Sequence, residues 1–178
     1  MPGFSDAYRS DTEILSDIAS WLRKAYANNI LLTGIIYLHR IIDPSLEGSA
    51  MRNLRVFKQL CGGEAFASVV LVTTFWNHVD NIVGRVRESE LINTEDLWGY
   101  MISMGSRVYR QDNSKTSART IVALLIMMGH PVVLEIQQEM VVCGKTLDVT
   151  AAGSELEFQL TQQRREAEEQ FKEIQGEL

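Results

Sequence analysis

The segment from Val69 to Asn77 constrains the fold more than any other part of the sequence. It opens with four aliphatic residues, Val69–Val72, and continues through two threonines and two aromatic residues to Asn77. A continuous aliphatic run of this kind is typical of a strand buried on both faces, as in a parallel sheet. The polar residues would then lie at the carboxyl edge of the strand, where ligands bind in open parallel sheets. A core strand followed by an ordinary loop is the alternative.

Helical and strand patterns alternate through the first 129 residues. Ser10 and Glu13 form a capping-box pattern at the start of an amphipathic helix. Further strands are predicted at 30–38 and 106–110, and further helices at 49–61, 79–91, 94–104 and 116–128. This order predicts an α/β fold with three parallel strands and helices on both sheet faces.

Gly129, His130 and Pro131 mark the predicted boundary between a domain at 1–129 and a helical extension at 130–178. Apolar residues recur at helical spacing from Val133 to Leu147, and Ala151–Gly153 is predicted to interrupt this seam. After Leu160 the chain is rich in charged residues, with apolar residues at 4-3-4 spacing, which is too short a pattern to establish a coiled coil. We expect a helical arm that docks on a partner or back on the domain, and a solvated helix is the alternative.

Composition excludes several classes of protein. The net charge of −6 is the wrong sign for a nucleic-acid-binding face. No apolar stretch approaches the ~20 residues of a transmembrane helix. The two cysteines, Cys61 and Cys143, suggest no disulfide framework, and a reducing compartment such as the cytoplasm fits best.

Polar residues follow each of the three predicted strands: His39–Arg40, Thr73–Asn77 and Arg110–Asn113. Because the carboxyl ends of parallel strands meet at one edge, we expect these residues to line one crevice. The sequence contains no GxxxxGK[ST], GxGxxG, HExxH, CxxC or GxSxG motif. Residue patterns alone therefore predict a small-molecule site of unknown chemistry, with no catalytic residue and no metal ligand.

Several longer segments together resemble a known family. They are residues 10–15, 34–41, 53–62, 69–74 and 150–153, with Pro2–Phe4 ahead of them. The chain resembles the later part of a P-loop GTPase domain. It is most similar to the fungal relatives of the avirulence-induced, immunity-associated GTPases, which are themselves similar to septins. The resemblance implies a partial Ras-like P-loop NTPase sheet with a C-terminal helical arm, and binding of GTP with Mg²⁺.

The resemblance also implies roles for the first residues. In the family an Asp-Thr-Pro-Gly turn follows the third strand, and its glycine N–H faces the γ-phosphate. Pro2 and Gly3 match the end of that turn, and Met1 stands at the threonine position. The phosphate loop, the magnesium-binding Ser or Thr and the first switch would all precede Met1, so we expect the C-terminal part of a GTPase. A chain without them should bind GTP poorly and should not hydrolyse it.

The family reads the guanine base with an Asn/Thr-Lys-x-Asp motif. Here Thr74 matches the first position, Phe75 replaces the lysine and Asn77 replaces the aspartate. A carboxylate accepts from both guanine N1–H and the 2-amino group, whereas an amide has one acceptor, so guanine selectivity is open. Trp76 either stacks on the base or packs against the following helix. The loop Arg110 to Asn113, which includes Gln111, would offer a backbone N–H to guanine O6.

Two functions from different classes follow. The first is a guanine-nucleotide-binding GTPase domain, and the second is a non-enzymatic interaction module that acts through the helical arm, with a protein partner or a second copy. An unrelated α/β hydrolase lacks any nucleophile–base motif. We also expect strand 30–38 to present an unpaired apolar edge, which lowers solubility or pairs with another chain.

Overall fold

The structure, a computed structural model, describes residues 8–43, 48–128 and 131–176. Seven helices and three strands follow one another in these residues. The strands are β1 Ile35–Arg40, β2 Val69–Thr74 and β3 Arg107–Arg110. The helices are α1 Asp11–Ala27, α2 Ser49–Cys61, α3 Asn81–Asn93, α4 Tyr100–Ser103, α5 Lys115–Met128, α6 Glu135–Gln137 and α7 Ala151–Gly176.

The sheet has the order β1-β2-β3, and both strand pairs are parallel. Ile35 is opposite Val69 and Arg40 is opposite Thr74, so β1 and β2 end at the same level. Val69 to Thr73 are all buried, as the aliphatic run predicts. The predicted mixed α/β class with three parallel strands is therefore confirmed.

Helices cover both faces of the sheet, as predicted. One face, with Val69 and Leu71, belongs to the main core, whose largest buried side chain is Trp98. The other face, with Val70 and Val72, packs against Ile121 of α5 in a smaller cluster. This second face has only one covering helix among the described residues, and that leaves room for a cavity beside α5.

Some strand and helix boundaries in the structure differ from those predicted. β1 begins at Ile35 because Leu32 instead forms an isolated antiparallel bridge with Val132. The predicted helix at 94–104 is a π-helical turn, Glu95–Gly99, followed by α4. No helix in the described ranges is long and apolar enough to cross a membrane.

The region after Pro131 differs from the predicted continuous seam. A π-helical turn, Gln138–Val142, follows α6, and the chain then turns at Gly144 with φ of 67°. Ala151–Gly153 begin α7 rather than breaking a helix. The start of α7 is stabilised by Glu139, whose carboxylate accepts the N–H of Ala151 at 3.0 Å.

The first half of α7 packs back on the rest of the chain. Ala152 and Leu156 are buried in the main core, and α7 lies against α2. Arg52 of α2 joins three helices: its Nη1 donates to Gln163 Oε1 of α7 at 2.9 Å, and its Nη2 lies 3.4 Å from Asp11 Oδ2 of α1. Residues on both sides of the predicted boundary thus share one core, whereas Gly129 and His130 lie outside the described residues.

Candidate functional site

A cavity of about 550 Å³ opens at the carboxyl edge of the sheet, beside α5. Its floor is apolar and consists of side chains from β1, β2 and α5: Ile36, Leu38, Val72, Ala118, Ile121 and Val122. Its rim is polar or aromatic and consists of Arg40, Thr74, Phe75, Asn77, His78, Gln111 and Asn113. The rim comes from the ends of all three strands, so the predicted crevice exists in the structure. An apolar floor with a few convergent polar groups is the usual form of a small-molecule site.

The end of β2 forms one side of the rim. Thr74 donates its hydroxyl to the carbonyl of His39 at 3.1 Å, which ties β2 to β1. Phe75 then adopts a left-handed backbone conformation with φ of 64°. Its half-exposed ring lies 5.3 Å from the Arg40 guanidinium and 5.9 Å from the His78 ring. A non-glycine residue in this region costs free energy, and such strain concentrates at functional sites.

The loop after β3 forms the other side. The Gln111 N–H donates to the Thr73 carbonyl at 2.9 Å, and its side-chain Oε1 accepts from the Asn113 N–H at 3.0 Å. Asn113 is left-handed as well, with φ of 69°. Hydrogen bonds from Ser114 and Ser117 lower the pKa of the exposed Asp112 to about 2. The loop is therefore fixed by its own side chains.

The same hydrogen bonds engage most of the backbone N–H groups of this loop. The N–H groups of Gln111, Asp112, Asn113 and Ser114 all donate within the protein. These four groups are therefore engaged within the protein, and a contact between a backbone N–H of this loop and guanine O6 stays a prediction. The free donor at this position is the Asn113 side chain. Within the described ranges neither its carboxamide nor that of Asn77 has a hydrogen-bond partner.

Trp76 points away from the cavity. Its indole N–H donates to Thr73 Oγ1 at 2.9 Å, and the Arg110 guanidinium lies 4.0 Å from the ring centroid. A Cβ on Gly84 of α3 would approach Trp76 Cζ3 to 2.8 Å, so the ring lies directly on that helix. Of the two positions predicted for Trp76, the structure has the one packed against α3.

Strand alternation separates His39 from Arg40. Arg40 lines the cavity, whereas His39 is 8% exposed on the opposite sheet face, where its ring meets Trp98 edge-on at 6.0 Å. Burial lowers the pKa of His39. The histidine is therefore a neutral packing residue, and Arg40 is the cation at the site.

The structure brings together Thr74, Asn77 and Gln111, three of the five residues predicted to bind a ligand, and places Trp76 elsewhere. Gly3 lies outside the described residues. The contribution of α5 to the cavity floor was not predictable from the sequence, because Ala118, Ile121 and Val122 have the spacing of any amphipathic helix. Across residues 8–43, 48–128 and 131–176, no three His, Cys, Asp or Glu side chains are grouped to hold a metal ion.

No family model, curated protein or solved structure matches the chain.

Proposed function

We propose that the protein binds a guanine-type nucleotide and that the cavity at the carboxyl edge of the sheet receives the purine base. The observation that carries the proposal is the convergence of Thr74, Asn77 and Gln111 on one cavity. The resemblance to GTPases implies base recognition at these same positions. The proposal therefore combines a family likeness with the geometry of the site.

The lining suits a flat heteroaromatic ring. The apolar floor would cover one face of the ring, and the exposed Phe75 ring at the rim is available for the other face or the edge. Stacking of a base on an aromatic side chain contributes about 1–3 kcal/mol. The free carboxamides of Asn77 and Asn113 would then pair with the edge of the ring, Asn77 accepting from N1–H and Asn113 donating to O6.

Binding of the phosphates has much weaker support than binding of the base. Most of the affinity of a P-loop protein for a triphosphate comes from the phosphate loop and Mg²⁺. This sequence has no GxxxxGK[ST] motif, and the cation at the cavity, Arg40, also lies 3.6 Å from Asp43. We therefore expect base-dependent binding with a dissociation constant of roughly 0.1–1 mM, and no GTP hydrolysis by this chain.

Titration of the protein with guanosine, adenosine and Mg·GTP tests the proposal, with saturation-transfer NMR as the readout. We expect guanosine to bind, Asn77→Ala to weaken that binding at least fivefold, and Mg·GTP to bind no tighter than guanosine. The matched control is Asn93→Ala, an exposed asparagine at the end of α3. No guanosine binding, or equal losses in both variants, would refute the base site.

The second candidate function is the interaction module. The observation that favours it is the far part of α7, where Phe171 and Ile174 are 61% and 62% exposed, one turn apart. An apolar pair on an otherwise charged helix suits a partner helix. If the arm mediates self-association, Phe171→Ser with Ile174→Ser should abolish a dimer seen by light scattering, and persistence of the dimer counts against it.

The cellular compartment of the protein is also a matter of proposal. Neither described cysteine is in a disulfide, and Cys61 is buried while Cys143 is exposed. We propose a reducing location such as the cytoplasm, because an exposed free thiol is best tolerated there. Detection of an intermolecular disulfide through Cys143 in protein isolated with its thiols trapped would argue for an oxidising compartment.

A further inference from the structure

The outer edge of β1 has unpaired backbone groups. β1 pairs only with β2 in the described sheet, and the Ile41 N–H donates to the Thr74 carbonyl at 3.0 Å. Alternate residues of a strand direct their backbone groups to opposite sides. Tyr37 and His39 therefore face β2, whereas Ile36, Leu38 and Arg40 face outward.

Among the described residues, Ile36 and Leu38 have two free backbone groups each, and Arg40 has a free N–H. The Arg40 carbonyl accepts from the Asp43 N–H at 3.2 Å. In the part of the chain that the structure describes, neither the N–H nor the C=O of Ile36 and Leu38 has a partner. Donors and acceptors at residues i and i+2 are what a neighbouring strand uses to pair. The Leu38 side chain is also 65% exposed, so the edge is apolar as well as unpaired.

We propose that β1 pairs antiparallel with β1 of a second copy, across a two-fold axis beside Tyr37, to form a continuous six-stranded sheet. This register places Ile36 opposite the partner's Leu38, and Leu38 opposite the partner's Ile36. The two hydrogen-bonded pairs then satisfy the N–H and C=O groups of Ile36 and Leu38 on each edge. The proposal does not depend on what the cavity binds, although the side chains of Ile36 and Leu38 also line the cavity floor.

Several features favour a second copy over an unrelated peptide. The edge is self-complementary in hydrogen bonding, and each exposed Leu38 would gain a cross-strand contact with an isoleucine. The Arg40 side chains would lie at opposite ends of the ribbon, about 20 Å apart along the strands, which exceeds the Debye length at physiological salt. The pairing therefore brings no like charges together.

Light scattering after size exclusion, over a dilution series of the full chain, tests the proposal. We expect a species of twice the 20.1 kDa chain mass that dissociates on dilution. Leu38→Lys should weaken dimerisation at least tenfold, since a lysine on an edge strand opposes pairing. The matched control, Val86→Lys, replaces a 63% exposed valine on α3 and should leave the dimer intact.

A cross-linking experiment tests the register and does not depend on Leu38→Lys folding. In a Cys143→Ser background, Ile36→Cys and Leu38→Cys proteins are oxidised separately and as a mixture. Directly opposed Cα atoms are about 5.5 Å apart and can be bridged, whereas diagonal Cα atoms are about 7–8 Å apart and cannot. We expect cross-linked dimers only in the mixture. A monomer at all concentrations, equal effects of Leu38→Lys and Val86→Lys, or cross-linking of the separate proteins would overturn the proposal.

Discussion

The Arg110 guanidinium lies 4.0 Å from the centroid of the Trp76 ring, and its Nε donates to Glu88 Oε2 at 2.9 Å. Glu88 and Thr73 are buried, so this group forms a polar cluster beneath the end of β2. Trp76 belongs to that cluster through its hydrogen bond to Thr73. The cluster, and not the ligand cavity, determines where the indole lies.

Trp76→Phe should therefore affect stability and not binding. The change removes the donor to Thr73 Oγ1 and keeps a ring against Gly84, so we expect a loss of about 1 kcal/mol in the free energy of unfolding. Guanosine affinity should stay within twofold.

The contrasting variant is Phe75→Asn. Asparagine tolerates the left-handed backbone, and the change removes the ring at the rim, so it should weaken guanosine binding. Weaker binding in Trp76→Phe would place the indole at the ligand. Urea denaturation and NMR titration provide the two readouts.

Asn77→Asp should increase guanine selectivity if the base site is correct. A carboxylate offers acceptors to both N1–H and the 2-amino group, which removes an unpaired donor that costs about 1–3 kcal/mol. We expect guanosine to bind about tenfold tighter and inosine, which lacks the 2-amino group, to gain less. Titrations of both nucleosides with both proteins measure the difference. An equal gain for guanosine and inosine would show that residue 77 does not read the 2-amino group.

Stability should fall below neutral pH because of His39. Burial lowers its pKa in the folded state, so between that value and the unfolded value near 6.5 the unfolded chain binds more protons. The stability that neutral, buried His39 provides is complete above about pH 6.5 and is lost as the pH falls through the folded pKa. The free energy of unfolding changes there by no more than about 1.4 kcal/mol per pH unit. Urea midpoints from pH 8 to pH 5 measure this slope.

Two variants test whether His39 is the group responsible for this pH dependence of stability. His39→Phe keeps a ring against Trp98 and should flatten the dependence between pH 6.5 and pH 5. His78→Gln changes an exposed histidine at the cavity rim and should leave the slope as it is. A slope that survives His39→Phe would mean that another group titrates in this window.

Gly153→Ala should disrupt the start of α7. A Cβ at this position would overlap the Leu147 carbonyl oxygen, a contact that only a backbone shift can relieve. Alanine normally favours a helix over glycine by about 1 kcal/mol, so a net loss of about 3 kcal/mol or more would reflect the clash. Gly63→Ala is the control, because its Cβ would meet Tyr100 and Met104 only at 3.7 and 3.8 Å. Thermal unfolding of both variants checks the contrast.

Short-range patterns predicted the sheet and the crevice well. An aliphatic run such as Val69–Val72 has few alternatives to a buried parallel strand. Once three such strands are assumed, the chain direction alone brings Arg40, Thr74 and Gln111 to one edge. These inferences succeed because they depend on geometry that every parallel sheet shares.

Long-range contacts were not predictable in the same way. Apolar spacing from Val133 to Leu147 fits a continuous helix as well as it fits α6 followed by turns, and only Gly144 and the carboxylate of Glu139 decide between them. Whether the Trp76 ring lies at the cavity or against α3 depends on Gly84 and Arg110, which lie 8 and 34 residues away in the chain. Local patterns contain no information about such partners.

The contacts by which Arg52 joins α1, α2 and α7 have a consequence for synthesis of the protein. Its hydrogen-bond partner Gln163 follows 111 residues later, and α2 cannot meet α7 until that residue has been translated. At 5–20 residues per second the wait is roughly 6–22 s, during which the side of α2 that packs on α7 is exposed on the nascent chain. The three described strands also pair only across intervening helices, so none of these strand pairs can form as an early hairpin. We expect chaperones that recognise apolar segments to bind the emerging chain during this interval.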